Sequence, residues 1–169
     1  MVEVKTLILG YGNSSRRDDG VGWFVIEQLQ DSAFAGVELV TAHQLEVDHS
    51  ELISRFDNVI FVDATVPQSP KAVMETPVVP KFQSHAVAHY LTPADVVSLS
   101  DSLYGHVPRA VLFSIRGYDF GFGSELSPAT QACALNVKRR IVQLLSEWHN
   151  DSQSCKPGNA ESQSRPAHA

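Results

Sequence analysis

Cysteine, basic charge and long apolar runs are all scarce in this sequence, and each scarcity removes a class of protein. There are two cysteines, Cys133 and Cys155. Neither belongs to a paired metal motif, and two thiols build no disulfide framework, so a reducing cytoplasm is the expected setting. Lys and Arg number 13 against 19 Asp and Glu, a net charge of −6, which leaves no basic face for nucleic acid. No apolar run approaches the roughly 20 residues that cross a bilayer. Met1–Leu9 lacks the basic start, long apolar stretch and small-residue cleavage site of an export signal. No serine sits in a G-x-S-x-G elbow and no H-E-x-x-H occurs, which excludes α/β-hydrolases and zincins. No heptad or long exposed apolar stripe stands out, so a monomer is expected.

What is present suffices for one domain. The chain has 169 residues, 43% of them hydrophobic, enough for one core and too few for two. Residues 149–169 are polar, ending E-S-Q-S-R-P-A-H-A. They cannot bury a face and are expected to form a disordered tail, leaving 1–148 as the domain. Within it, Val4–Leu9 and Val37–Ala42 read as strands, and Val59–Val62 reads as a buried central strand ending at Asp63. Val73–Val79 is a weaker strand interrupted by Pro77, and Val111–Ile115 is the last. Helical stripes lie between them. Val21, Phe24, Val25 and Leu29 mark one, and Ser50 is placed to cap a short one through Ile53. Thr92-Pro93-Ala94-Asp95 opens a helix to about Leu103, and Ser127-Pro128 opens one to about Trp148. The order β-α-β-α-β-β-α-β-α predicts an α/β fold, a sandwich with a mostly parallel sheet.

Three loops carry residues capable of chemistry. Gly10-Tyr11-Gly12-Asn13 leads through Arg16-Arg17 to Asp18-Asp19-Gly20-Val21-Gly22. A dinucleotide fingerprint needs a third glycine where Ser15 stands, and two carboxylates at a helix start repel a phosphate. One aspartate suffices to cap that helix, and Asp18 is expected to do so. The other is left over. Asp63 ends a central strand, where open α/β sheets bind ligands at a switch point. If the first and third strands are neighbours, the two acidic loops face each other. His85 and His89 precede the Thr92-Pro93 helix start. Two carboxylates and an imidazole suit a divalent ion of borderline hardness and leave positions open. His43 ends the second strand beside the same crevice. Tyr118-Asp119-Phe120-Gly121-Phe122-Gly123 reads either as a flexible surface for a partner peptide or as a turn over the core. Cys133 reads as packing.

Taken together, these segments resemble the maturation proteases of nickel–iron hydrogenases. The resemblance rests on Leu7–Asn13 with Asp18–Gly22, on His43-Gln44-Leu45, and on Val59–Ala64. It continues with His89, Leu91, Pro93 and Ala94, then Asp119–Gly123 and Leu126-Ser127-Pro128. It implies a three-layer α/β/α sandwich with a five-stranded sheet. It also implies an endopeptidase that removes a C-terminal extension from the nickel-loaded precursor of a hydrogenase large subunit. The family's ligands fall on Asp19, Asp63 and His89, which would contact the metal and serve in catalysis. His85 competes with His89, but only His89 keeps the family's spacing to Pro93. No permanently bound cofactor is implied, because the nickel arrives with the precursor. Arg16-Arg17 departs from the small residues common before the acidic pair. It places two positive charges to lower the carboxylate pKa values or to meet an acidic patch on the precursor. Three alternatives remain open: a non-catalytic metal-responsive module, a peptidase with another substrate, and a nucleotide-binding protein.

Overall fold

Side-chain alternation along the strands sorts the apolar residues into two cores. Ile8, Ile60, Val62, Val111, Phe113 and Ile115 point to one face of a five-stranded sheet, and Leu7, Leu9, Val59, Phe61 and Ala110 to the other. The structure is a computed structural model, and it describes residues 4–32, 34–81 and 90–154. The elements are β1 (Thr6–Tyr11), a 3-10 turn (Arg17–Gly20, the acidic turn), α1 (Val21–Gln30), β2 (Val37–Ala42), α2 (Asp48–Ile53) and β3 (Asn58–Thr65). They continue with β4 (Val73–Val78), α3 (Pro93–Tyr104), β5 (Arg109–Arg116) and α4 (Pro128–Ser154). The strand order is β2-β1-β3-β5-β4. All pairs are parallel except β4 with β5. Helices α1 and α4 cover the first core, and α2 and α3 the second. The α/β/α sandwich expected from the sequence is therefore the fold.

Strand β3 is central. Val59, Ile60, Phe61 and Val62 have no exposed surface, which is why this stretch is apolar on both faces. Burial of each such side chain contributes roughly 1.5–3 kcal/mol. Pro77 is tolerated because β4 is an edge strand, paired on one side only. At the start of α3, Thr92 Oγ1 accepts from the Asp95 amide at 3.2 Å, and Asp95 Oδ2 accepts from the Thr92 amide at 2.9 Å. This is the reciprocal cap that the Thr-Pro-Ala-Asp run encodes.

Two local expectations change. Helix α2 begins at Asp48, so Ser50 lies inside it, and its hydroxyl donates to the Val47 carbonyl at 2.6 Å instead of capping. Helix α2 has no side-chain cap, and His49 Nδ1 accepts from the Glu46 amide at 2.9 Å just ahead of it. Helix α4 continues past Trp148 to Ser154, so residues 149–154 are helical and not part of a tail. They bury no face, but Arg109 pairs with Asp151 at 2.9 Å and stacks over Trp148 at 4.9 Å, tying the last turns to the start of β5. The remaining expected tail, residues 155–169, lies outside the described residues.

Candidate functional site

The order of successive strands reverses between the parallel neighbours β1 and β3, and both strands end near the candidate acidic residues. Pairing of Gly10 with Val62 makes Tyr11 and Asp63 the next residues along neighbouring strands. The acidic turn folds back over these strand ends. Helix α1 reaches them because Gly22 has no side chain: a Cβ there would lie 2.6 Å from the Val62 carbonyl oxygen and 2.7 Å from the Tyr11 amide nitrogen. Gly12 is required twice over. Its φ is 132°, and a Cβ would sit 2.1 Å from the Asp19 carbonyl oxygen.

These contacts use the loop's amides internally. Gly12 N donates to the Ala42 carbonyl at 3.1 Å, Asn13 N to Asp19 Oδ2 at 2.9 Å, Ser15 N to Asn13 Oδ1 at 2.9 Å and Arg16 N to the Asn13 carbonyl at 3.0 Å. A phosphate cradle needs such amides free, so the nucleotide reading loses its physical basis. Trp23, which the sequence reading passed over, closes the same corner. Its indole N–H lies 2.9 Å from the Gly12 carbonyl and 3.1 Å from that of Ala42.

Asp18 and Asp19, adjacent in sequence, have opposite surroundings. Asp18 has no exposed surface. Its carboxylate accepts from the amides of Tyr118 (2.8 Å), Asp119 (2.9 Å) and Ser127 (2.7 Å), and from the hydroxyls of Ser127 (2.7 Å) and Thr130 (3.0 Å). It therefore does not cap α1, whose N-cap Gly20 has no side-chain partner. It sits instead at the start of α4, where the free amides and the helix dipole favour an anion. Burial pushes its pKa up, but the amides of Tyr118, Ser127 and Asp119 and the Ser127 hydroxyl more than offset this, so the carboxyl stays below the usual range.

Asp19 is partly exposed and turns the other way, towards Asn13 and within electrostatic reach of Asp63. Asp63 accepts from the Ala64 amide at 2.7 Å and interacts with the Tyr11 hydroxyl. Burial pushes its pKa up to about 7. The Asp19 charge adds to the rise, and the Tyr11 and Ala64 hydrogen bonds oppose it. The same burial and the neighbouring Asp63 raise the Tyr11 hydroxyl well above its ordinary range, keeping it protonated. Tyr11 is thus a site residue that the sequence reading missed. Its only signal was a polar-tipped aromatic between two glycines at a strand end.

The arginines do not serve the carboxylates as expected. Arg16 donates to the Phe120 carbonyl from Nε (3.0 Å) and Nη2 (2.8 Å). Arg17 donates to the Phe122 carbonyl at 3.2 Å and pairs with Asp119 at 3.1 Å. They clamp the segment Tyr118–Gly123 to the acidic turn, helped by backbone bonds from Arg17 N to the Gly123 carbonyl and from Gly123 N to the Ser15 carbonyl. That glycine-rich segment is accordingly tied down, with Phe122 left 85% exposed. His43 is exposed just beyond β2, and Cys133 packs against the α1–α4 core. A cleft of about 900 Å³ opens beside α1 along Ser14, Trp23, Glu27, Thr41 and Leu126, and neither Asp19 nor Asp63 lines it. Among the described residues no three His, Cys, Asp or Glu side chains gather to hold a metal ion. Asp19 and Asp63 come together as a pair, while His85 and His89 lie outside the described residues.

Neither a protein-family model nor a curated protein sequence matches the chain. Solved structures do. A NiFe hydrogenase maturation protease, HycI from Thermococcus kodakarensis KOD1, superposes with a TM-score of 0.67 at 24% identity, over 86% of this chain and 94% of that one. The hydrogenase maturating endopeptidase HybD from E. coli gives 0.69 at 19% identity, over 85% and 93%. A hydrogenase 2 maturation peptidase from Thaumarchaeota archaeon SCGC_AB-539-E09 gives 0.61 at 17%, over 84% and 98%. The fold is that of the hydrogenase maturation proteases. Matches of 84–86% of this chain mean that the maturation-protease fold takes in nearly all of the described sandwich. The residues that carried the sequence resemblance at β1, the acidic turn, β3 and the β5–α4 segment lie at one end of its sheet.

Proposed function

We propose that this protein is a hydrogenase maturation endopeptidase. It removes a C-terminal extension from the precursor of a nickel–iron hydrogenase large subunit and acts when that precursor carries its nickel. The observation that carries this reading is the convergence of Asp19 and Asp63 on a fold shared with such endopeptidases. Two carboxylates within reach of each other, with the nearby arginines engaged elsewhere, form a site short of positive charge. A divalent cation supplies that charge, and oxygen donors with one imidazole suit nickel.

In this reading Asp19, Asp63 and His89 complete the coordination of nickel held by the precursor. Binding then depends on correct metal loading, which makes cleavage a check on assembly. A metal ion held by these residues would supply Lewis acidity for hydrolysis of the peptide bond, and a carboxylate of the trio acting as general base is the alternative. Tyr11 donates to Asp63 and orients it. The protein itself needs no resident metal, and the reaction belongs to the cytoplasm, where the subunit matures.

The test is the mass of a nickel-loaded large-subunit precursor from the same source after incubation with this protein. Loss of a C-terminal peptide is expected only from the nickel-loaded sample, and not with Asp19→Asn or His89→Ala. Cleavage that ignores nickel points to a peptidase with a different recognition rule. Complex formation without cleavage turns the reading into a metal-responsive binding module.

A further inference from the structure

The acidic turn that carries Asp19 has little to hold it by itself. It is four residues of 3-10 helix with no side-chain cap, and Arg17 within it adopts a left-handed φ of 44°. It owes its position to groups that arrive from the far end of the chain, and the Asp18 carboxylate gathers most of them. Its five donors come from Tyr118, Asp119, Ser127 and Thr130. The Asp18 amide returns a bond to the Asp119 carbonyl at 3.0 Å. The Thr130 hydroxyl also lies 2.9 Å from the Arg116 carbonyl, which extends the link to the end of β5.

We propose that Asp18 is a positioning residue: its carboxylate locks the acidic turn to the start of α4 and thereby sets where Asp19 stands relative to Asp63. Consecutive Cα atoms are about 3.8 Å apart, so a shift of the turn at Asp18 displaces its neighbour as well. Asp19 faces Asn13 while Asp18 faces α4, so the turn acts as a short lever between the two. Misplacement of a reacting group by about 1 Å costs on the order of 10²-fold in rate. The catalytic consequence rests on the endopeptidase reading, whereas the geometric one does not.

The Asn13 amide, which donates to Asp19, provides a reporter that needs no activity. In a ¹H–¹⁵N spectrum of the full chain, Asp19→Asn defines the resonance change when that contact is altered. Asp18→Asn is expected to remain folded in a cooperative melt and to move the Asn13 resonance by most of the Asp19→Asn change. Per folded molecule, it should lower kcat/KM on the nickel-loaded precursor by about 10²-fold. Thr130→Val, which removes one donor, should give a smaller shift and a smaller loss in the same proportion. It carries the test if Asp18→Asn fails to fold. An Asn13 resonance left in place in a folded variant overturns the proposal, as does a loss of activity that only tracks the unfolded fraction. If the unmodified protein cleaves no precursor, the endopeptidase reading falls, and the Asn13 resonance still decides the role of Asp18.

Discussion

At the seam between the acidic turn and α4, Asp18 is enclosed by five hydrogen-bond donors and its carboxyl is held below the usual range. At the tip of β3, Asp63 is enclosed as well, but it has one backbone amide and a tyrosine hydroxyl, and a second carboxylate faces it. Its pKa rises to about 7. The same side chain, both times withdrawn from water, thus titrates in opposite directions. Burial alone disfavours the anion, and the count of donors decides whether the protein repays that cost. Where the donors are complete, the carboxylate holds structure together. Where they are incomplete and a like charge stands nearby, the anion is left short of compensation.

The contrast can be broken by substitution. The largest effect should be on cleavage: Asp63→Asn or Asp19→Asn is expected to lower the rate on nickel-loaded precursor by roughly 10²–10⁴-fold, measured by loss of the extension in a mass spectrum. Next is stability. Asp18→Asn leaves amides and hydroxyls facing an amide group that can accept few of them, and should cost about 2–4 kcal/mol in denaturant unfolding near pH 7. Because the folded-state pKa of Asp18 is lowered, its contribution is present above the ordinary carboxylate pKa. It is lost as pH falls through the folded value, so the difference between variant and parent should shrink in acid.

Asp63→Asn should do the reverse. A raised folded pKa means no penalty below the ordinary carboxylate value, a penalty that grows as pH rises towards about 7, and a plateau above it. In chelator-treated buffer at pH 8 the variant should be more stable than the parent by up to about 4 kcal/mol, with the two converging near pH 4. Ser127→Ala should cost about 1 kcal/mol by removing one of the five donors. The smallest effect sharpens the comparison at Asp63. Tyr11→Phe removes a bond that favours the anion, so the Asp63 carboxyl should titrate above about 7 in a ¹³C-detected pH series, with stability changed by less than about 1 kcal/mol.

Much of this was legible in the chain. The apolar run Val59–Val62 announced a strand buried on both faces. Thr92-Pro93-Ala94-Asp95 announced a helix start down to its reciprocal cap. For the acidic turn to meet Asp63 required only that β1 and β3 be neighbours, which they are. The misread elements share a cause. Ser50 is a cap by residue type, but the helix starts two residues earlier, at Asp48, so its hydroxyl turns back to the Val47 carbonyl. For Arg16 and Arg17 the sequence suggests either the carboxylates beside them or an acidic patch on a precursor, whereas in the fold they hold the Phe120 and Phe122 carbonyls and the Asp119 carboxylate, more than a hundred positions away.

Asp18 and Asp19 mark the boundary between the two kinds of information. Local pattern determined that an acidic pair would stand between the first strand and the first helix, because hydrophobic alternation, glycines and helix periodicity act over a few residues. Nothing local separates one aspartate from the next, since both are the same side chain on the same short turn. Their division of labour was decided only when the fold brought the amides of Tyr118, Asp119 and Ser127 and the hydroxyl of Thr130 to one carboxylate and left the other beside Asp63. Hydrogen bonds and charge interactions depend on distance in space, and sequence separations of 100 to 112 residues are closed by tertiary packing alone.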